Sequence, residues 1–342
     1  MKRSTGLTGI HFLTVLVFAA VTATLRTIAC ISDFNFKTGY FADSVLITIS
    51  NCLAIVGVII SLAYLIVGKN TPNHLTTYNS ALAYIPAGIV SVTLAFFAAS
   101  AIYDLAKLPG TFFSEKTFSD SSNVMLAALA VLALVSIAYF MLETIFEKRA
   151  VPERGGLGLV FVAFLALYAA YVYFGDSMPI NSQIKITDQI AFSFAAVFFL
   201  FECRISLGRS ITGGYVALGG AAAILAAYSS IPALITYFVK KSLVSDSLPA
   251  VVLLFGIFML VISRLAILAL SKEDKRCDTA ESIAMMSRAR VDELEAARHA
   301  RAHADIINEE NRESDEVTVA EDDNYTMDLE DILDNTAEDG IE

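Results

Sequence analysis

Eight long apolar runs constrain this chain more than any other feature. They cover Gly6–Ile31, Asp43–Val67, Thr77–Tyr103, Ser122–Phe146, Gly156–Phe174, Asp188–Cys203, Thr212–Val239 and Leu248–Ser271. A helix needs about 20 apolar residues to cross a hydrocarbon core of about 30 Å. Lipid offers no partner to a backbone N–H or C=O, so spanning segments are helices or closed barrels. A barrel reads as alternating segments of about ten residues, and that alternation is absent. The runs therefore predict an all-α fold, a polytopic membrane bundle of eight transmembrane helices.

The first run follows Lys2 and Arg3 and mimics a signal peptide. It is too long for the apolar core of one, and further spans follow it, so it is read as a retained first helix. The string Thr27-Ile28-Ala29-Cys30 lacks the leucine of a lipoprotein cleavage box and has Arg26 beside it.

Charge divides the chain. Residues 1–276 carry 19 Lys+Arg and 14 Asp+Glu, whereas residues 277–342 carry 5 and 21. The bundle is thus mildly basic, and the acidic balance of the whole belongs to the tail. Such a tail is unsuited to nucleic acid, which attracts basic surface. Three regions follow: a transmembrane bundle over 1–271, a cytosolic juxtamembrane helix over 272–308, and a disordered acidic tail over 309–342.

Lys and Arg in the short loops set orientation. With the N-terminus inside, the cytoplasmic flanks hold eleven, from Lys2 and Arg3 to Lys275 and Arg276. The opposite flanks hold six: Lys37, Lys107, Lys116, Lys185, Lys240 and Lys241. Both termini are expected in the cytoplasm, in the plasma membrane. Lys240-Lys241 runs against the trend. Every loop is short, so any chemistry belongs to the bundle or the tail.

Within the spans, the stretch Phe194–Arg209 is the most demanding. An apolar run there drives into Glu202, Arg204 and Arg209. Glu143 holds a similar place at the end of the fourth span, and Arg264 lies about seven residues, or about 10 Å, inside the end of the eighth. Intramembrane charges are rare and need partners. Glu143, Glu202, Arg204 and Arg264 therefore form a candidate inner-leaflet cluster, with Arg264 expected to bond Glu202 or Glu143. The seventh span carries two small-residue faces, Gly213-Ala217-Ala221 and Gly219-Ala223-Ala227, suited to close helix packing. Pro86 and Pro232 fall inside spans and mark expected kinks.

The tail holds one apolar island, residues 325–333. Met327, Leu329, Ile332 and Leu333 stand among acids, and the last three share one helical face. That pattern suits a short motif that folds onto a partner's groove. The four cysteines, Cys30, Cys52, Cys203 and Cys277, show no C-x-x-C and read as small packing residues. His299 and His303 are four apart, but a metal needs further ligands. No Walker loop, dinucleotide fingerprint, H-E-x-x-H or G-x-S-x-G is present. No cofactor or metal is expected, and no nucleophile–base pair supports an intramembrane enzyme. The expected function is a non-enzymatic membrane protein, in contact with the bilayer, that binds a cytosolic protein through its tail. The alternative is a secondary transporter or channel for a small solute or ion, working through the inner-leaflet charges.

The topology is open to labelling. A cysteine at position 114, replacing Ser114, is expected to react with an impermeant maleimide on intact cells, and one replacing Ser314 is not. Reaction at position 314 overturns the orientation.

Overall fold

The computed structural model describes residues 3–36, 38–42, 44–67, 81–107, 121–146, 152–174, 179, 181–206, 212–240, 247–270, 292–301 and 303. Among the described residues, eight helices are long and apolar enough to cross a membrane. They are α1 (Arg3–Ser32), α2 (Val45–Val67), α3 (Ala81–Ala106), α4 (Ser121–Phe146), α5 (Pro152–Phe174), α6 (Gln183–Ser206), α7 (Thr212–Lys240) and α8 (Leu248–Leu270). The protein is an integral membrane helical bundle, as the apolar runs require. A further helix covers 292–301; its described side chains are exposed, including Leu294. It falls in a separate compact unit and within the stretch read as the juxtamembrane helix.

α7 is the hub. It packs against α1, α2, α6 and α8, while α3, α4 and α5 continue the bundle from α8 round to α6. The reason lies in its side chains. Ala217, Ala221, Ala222, Ala223, Ala226 and Ala227 are all fully buried. Apolar area gives no drive for helix association in lipid, because the tails are as apolar as the helices; close packing does. A chain of Ala and Gly lets four backbones approach one helix. The burial gradient follows: 67% of the α7 span and 72% of the α8 span is buried, against 28% of α2. Ile49, Ile55, Val56, Ile59 and Ile66 of α2 face outward.

Gly220 marks the tightest approach. A Cβ there would stand 2.8 Å from His11 Nε2 of α1 and 2.8 Å from Val15 Cγ2, and would also press on Ser61 of α2. Those neighbours are already tied down. The Ser61 hydroxyl donates to the Ala217 carbonyl at 2.8 Å and lies 3.4 Å from His11 Nε2.

On the far side, aromatic rings fill the space between α4, α5 and α6. Phe140 meets Phe161 at 4.9 Å, Phe161 meets Phe199 at 4.7 Å, and Phe192 lies 4.5 Å from Tyr168. The first two pairs are edge-to-face, the arrangement the ring quadrupoles favour.

Pro86 sits inside α3 and Pro232 inside α7, and both helices continue through them. Pro has no N–H for the carbonyl four residues back. For Pro86 that carbonyl belongs to Leu82, and the hydroxyl of Ser263 on α8 donates to it. The gap in one helix thus becomes a tie to another.

Two features differ from the sequence reading. Between α1 and α2 lies a small hairpin, β1 (Phe34–Asn35) antiparallel to β2 (Tyr40–Phe41), with Phe34 opposite Phe41. Gly39 takes φ +73° in its turn, and a Cβ there would also meet Pro179 at 3.3 Å. The hairpin is anchored: Phe34 packs with Cys30 and Ile184, and Ser182 donates to the Gly39 carbonyl at 3.2 Å. Hydrogen bonds from Ser44 and Ser32 hold the exposed Asp33 carboxyl, at the hairpin's start, below its usual range. The second difference is that α6 begins at Gln183, five residues before the expected Asp188. Lys185, counted as a loop charge, is therefore on a helix and buried. The polar start of α6 conceals its helical character from a hydropathy reading.

Cross-helix bonds fix the up-and-down order. Thr8 near the start of α1 reaches Tyr64 near the end of α2 at 3.0 Å. Near the start of α7, Gly220 adjoins His11 and Ser61 while Gly219 adjoins Leu265 of α8, so the start of α1 and the end of α8 lie at one end of the bundle, and the hairpin lies at the other.

Gly220→Ala is expected to destabilise the bundle by about 1–3 kcal/mol, the usual range for overpacking. Gly88→Ala, where a Cβ meets nothing within 4 Å, is expected to be near neutral. Thermal unfolding of both variants in detergent micelles tests the pair; equal midpoints would remove Gly220 from its structural role.

Candidate functional site

The expected charge cluster divides. Glu202 on α6 and Arg264 on α8 come together, with Nε 3.4 Å from Oε1 and side chains 10% and 3% exposed. A third helix contributes a residue the sequence reading missed. Tyr215, in the first turn of α7, donates its hydroxyl to Glu202 Oε2 at 2.6 Å. The two carboxylate oxygens thus face different helices, Oε2 accepting a hydrogen bond from α7 and Oε1 lying in an ion pair with α8. Tyr215 is held in turn by Phe198, whose ring lies 4.8 Å away.

Packing brings Glu202 there. Phe198, Phe199, Glu202 and Cys203 lie on the buried face of α6. Gly158 of α5 makes room beside them, since a Cβ would fall 3.0 Å from Tyr139 and against Cys203. Arg204 points elsewhere: it is exposed, with its guanidinium carbon 5.6 Å from the Phe201 ring. Glu143 lies on α4, but its side chain is outside the described residues. So does the motif of Met327, Leu329, Ile332 and Leu333.

A second polar group, nearer the hairpin end, was not anticipated. Arg26 of α1, 3% exposed, stacks over the Tyr228 ring of α7, with its guanidinium carbon 4.2 Å from the centroid. It also hydrogen-bonds Cys30 one turn on. The Tyr228 hydroxyl donates to Asn51 of α2, and the next residue, Ser229, donates to Asp188 of α6. Lys185, one turn before Asp188, is buried as well. A signal for Arg26 was available. Val15, Ala19, Thr22, Ala23, Arg26 and Cys30 recur at three- and four-residue steps, and all are buried. Arg26 thus lies on the stripe of small and polar residues by which α1 meets its neighbours.

Both groups join helices through polar contacts. The Glu202 carboxyl accepts from the Tyr215 hydroxyl and has the Arg264 guanidinium beside it as an ion-pair partner. Among the described residues no three His, Cys, Asp or Glu side chains gather as a metal site. Cys30 and Cys203 are buried, whereas Cys52 is exposed on α2. Comparison of the chain with protein-family models, curated proteins and solved structures finds no match. Fold and site together define a class: a multi-pass integral membrane protein whose intramembrane charges are engaged across helices.

Truncating one member of the Glu202–Arg264 pair leaves the other as an uncompensated buried charge, which costs about 3–5 kcal/mol. Arg264→Leu is expected to lose stability of that order, and Arg264→Leu with Glu202→Gln to recover part of it. Tyr215→Phe is expected to lose about 1.5–3 kcal/mol, a hydrogen bond to a charged acceptor. Thermal unfolding in micelles reads all three. A double variant no more stable than Arg264→Leu would show that the pair is not coupled.

Proposed function

We propose that the protein is a non-enzymatic membrane component that binds or organises a cytosolic partner through its acidic C-terminal tail. In this reading it lies in the plasma membrane with both termini in the cytoplasm. The observation that carries the reading is the closure of charge within the bundle. Both Glu202 oxygens are engaged, by Arg264 and Tyr215. A group that loads and releases an ion or solute has to exchange such partners. The interior beside it is filled by Phe140, Phe161, Phe198 and Phe199. What remains for function is the segment outside the bundle, whose excess of acid suits a basic groove and whose Leu329, Ile332 and Leu333 would supply the apolar face.

A specific observation favours the second reading, a secondary transporter or channel. Buried charge lies at two levels along α7: Glu202 and Arg264 toward one end, Arg26, Lys185 and Asp188 toward the other. Charges at successive depths are what an ion path requires.

The two readings give opposite results in paired assays. Immobilised full-length protein is expected to retain cytosolic partners, and to lose them on deletion of Glu309–Glu342 or on Leu329→Ala with Ile332→Ala. Membrane abundance is expected to stay unchanged, because an acidic, apolar-poor segment buries little. Retention that survives the double substitution removes the motif. Solute or proton flux in proteoliposomes that Glu202→Gln abolishes replaces this reading with transport.

A further inference from the structure

We propose that the groove between α2 and α6 seats one acyl chain of an ester-linked glycerolipid, with the ester carbonyl held at Asn51. The inference is independent of the tail and of its partners.

The groove follows from the packing of the bundle. α2 and α6 both lean on α7 but not extensively on each other. The cleft left between them encloses about 360 Å³, with Leu225 and Tyr228 of α7 as its floor. Its length fits the occupant. From Gln183 to Phe194, the first and last lining residues on α6, the helix advances about 16 Å at 1.5 Å per residue. Half of a hydrocarbon core of about 30 Å is about 15 Å, the depth of one leaflet. The cleft thus runs from the hairpin end of the bundle to the middle of the membrane, as an acyl chain does.

Its lining is graded as a lipid is graded. Ile55, Val58, Ile59, Ile190, Phe194 and Leu225 form the deep part. Asn51, Gln183, Thr187 and Tyr228 lie toward the hairpin end. The Asn51 side chain is the informative one. Its carbonyl oxygen accepts from the Tyr228 hydroxyl, which leaves the two amide hydrogens for another acceptor. In lipid the acceptors on offer at that level are the ester carbonyls.

The charge behind the groove points the same way. Arg26 lies on the Tyr228 ring, 4.2 Å from its centroid, and its Nη1 has no hydrogen-bond partner among the described residues. That positive charge is one ring's thickness from the groove wall. It strengthens the Tyr228 hydroxyl as a donor to Asn51, and so polarises the amide toward the groove. A carbonyl oxygen placed at Asn51 meets the favourable end of that chain of dipoles. An ether oxygen at the same place is a weaker acceptor.

The test uses the full-length protein in phosphatidylcholine nanodiscs. The probe is phosphatidylcholine bearing a photoactivatable diazirine within its acyl chain, in a diester and a diether form, and mass spectrometry maps the labelled peptides. With the diester probe, Ala54–Ile59 and Ile186–Phe194 are expected to label about tenfold more than the outward face of α3 around Val92 and Phe96, a ratio that marks a real preference. With the diether probe the groove is expected to fall toward the α3 level, and Asn51→Leu is expected to abolish the difference between probes. Ala54→Phe is expected to block labelling by filling the groove. Should that variant fail to fold, Ile55→Trp, on the lipid-facing edge of the deep part, makes the same demand. Equal labelling of groove and α3 would show ordinary bilayer contact only and overturn the proposal. Groove labelling that survives a folded filled variant, or that is equal for the two probes in the unaltered protein, overturns it too.

Discussion

The structure depends on how closely four helices can approach α7. In water, apolar burial alone would gather them. In lipid it does not, so the drive comes from contact density and from polar groups that find each other. α7 meets both demands. Its alanines and glycines remove the side-chain bulk that would hold α1, α2, α6 and α8 away. Its carbonyls and few polar side chains, such as the Ala217 carbonyl and the Tyr215, Tyr228 and Ser229 hydroxyls, then come within reach of Ser61, Glu202, Asn51 and Asp188. Close approach comes first and the polar contacts follow from it. A bulkier helix at the centre would leave every one of those groups unpaired in hydrocarbon.

The polar contacts add what the alanines lack. A smooth Ala surface tolerates sliding and rotation, since shifting an alanine by one turn costs little. A carboxylate held between a hydroxyl of one helix and a guanidinium of another does not tolerate it. Glu202 is satisfied only when α6, α7 and α8 are in one register, and Ser229 meets Asp188 only in that same register of α6 and α7. Ser263 donating to Leu82 does the corresponding work between α8 and α3, at the carbonyl that Pro86 leaves open. The small residues let the helices meet, and the buried polar residues set where along their length they do so.

Much of this could be read from the residues, and each failure has a physical cause. The apolar runs were legible because bilayer thickness fixes their length. The faces of the seventh span were legible because small residues at four-residue spacing have one use in lipid. Glu202 and Arg264 stood out as charges inside apolar runs. Tyr215 did not, because a tyrosine near a span end is ordinary and its partner comes from another helix. Lys185 was hidden at the polar start of α6, where hydropathy cannot separate a loop from a helix end, and Asp188 was taken only as the first residue of the span. The hairpin was hidden for another reason: two strands of two residues carry no period, and they exist because Phe34 finds Cys30 and Ile184.

The two polar levels also bear on what the bundle can do. Between them α7 presents Ala221, Ala222, Ala223, Ala226 and Ala227, all fully buried, with no polar side chain among them. Along α7 the two polar levels are thus separated by an apolar stretch several residues long. Each polar group runs laterally from helix to helix, as the bonds of Tyr215 to Glu202 and of Ser229 to Asp188 do. Lateral closure holds helices in register; an axial chain would conduct. That geometry makes the two polar levels the points at which the register of the helices around α7 is set.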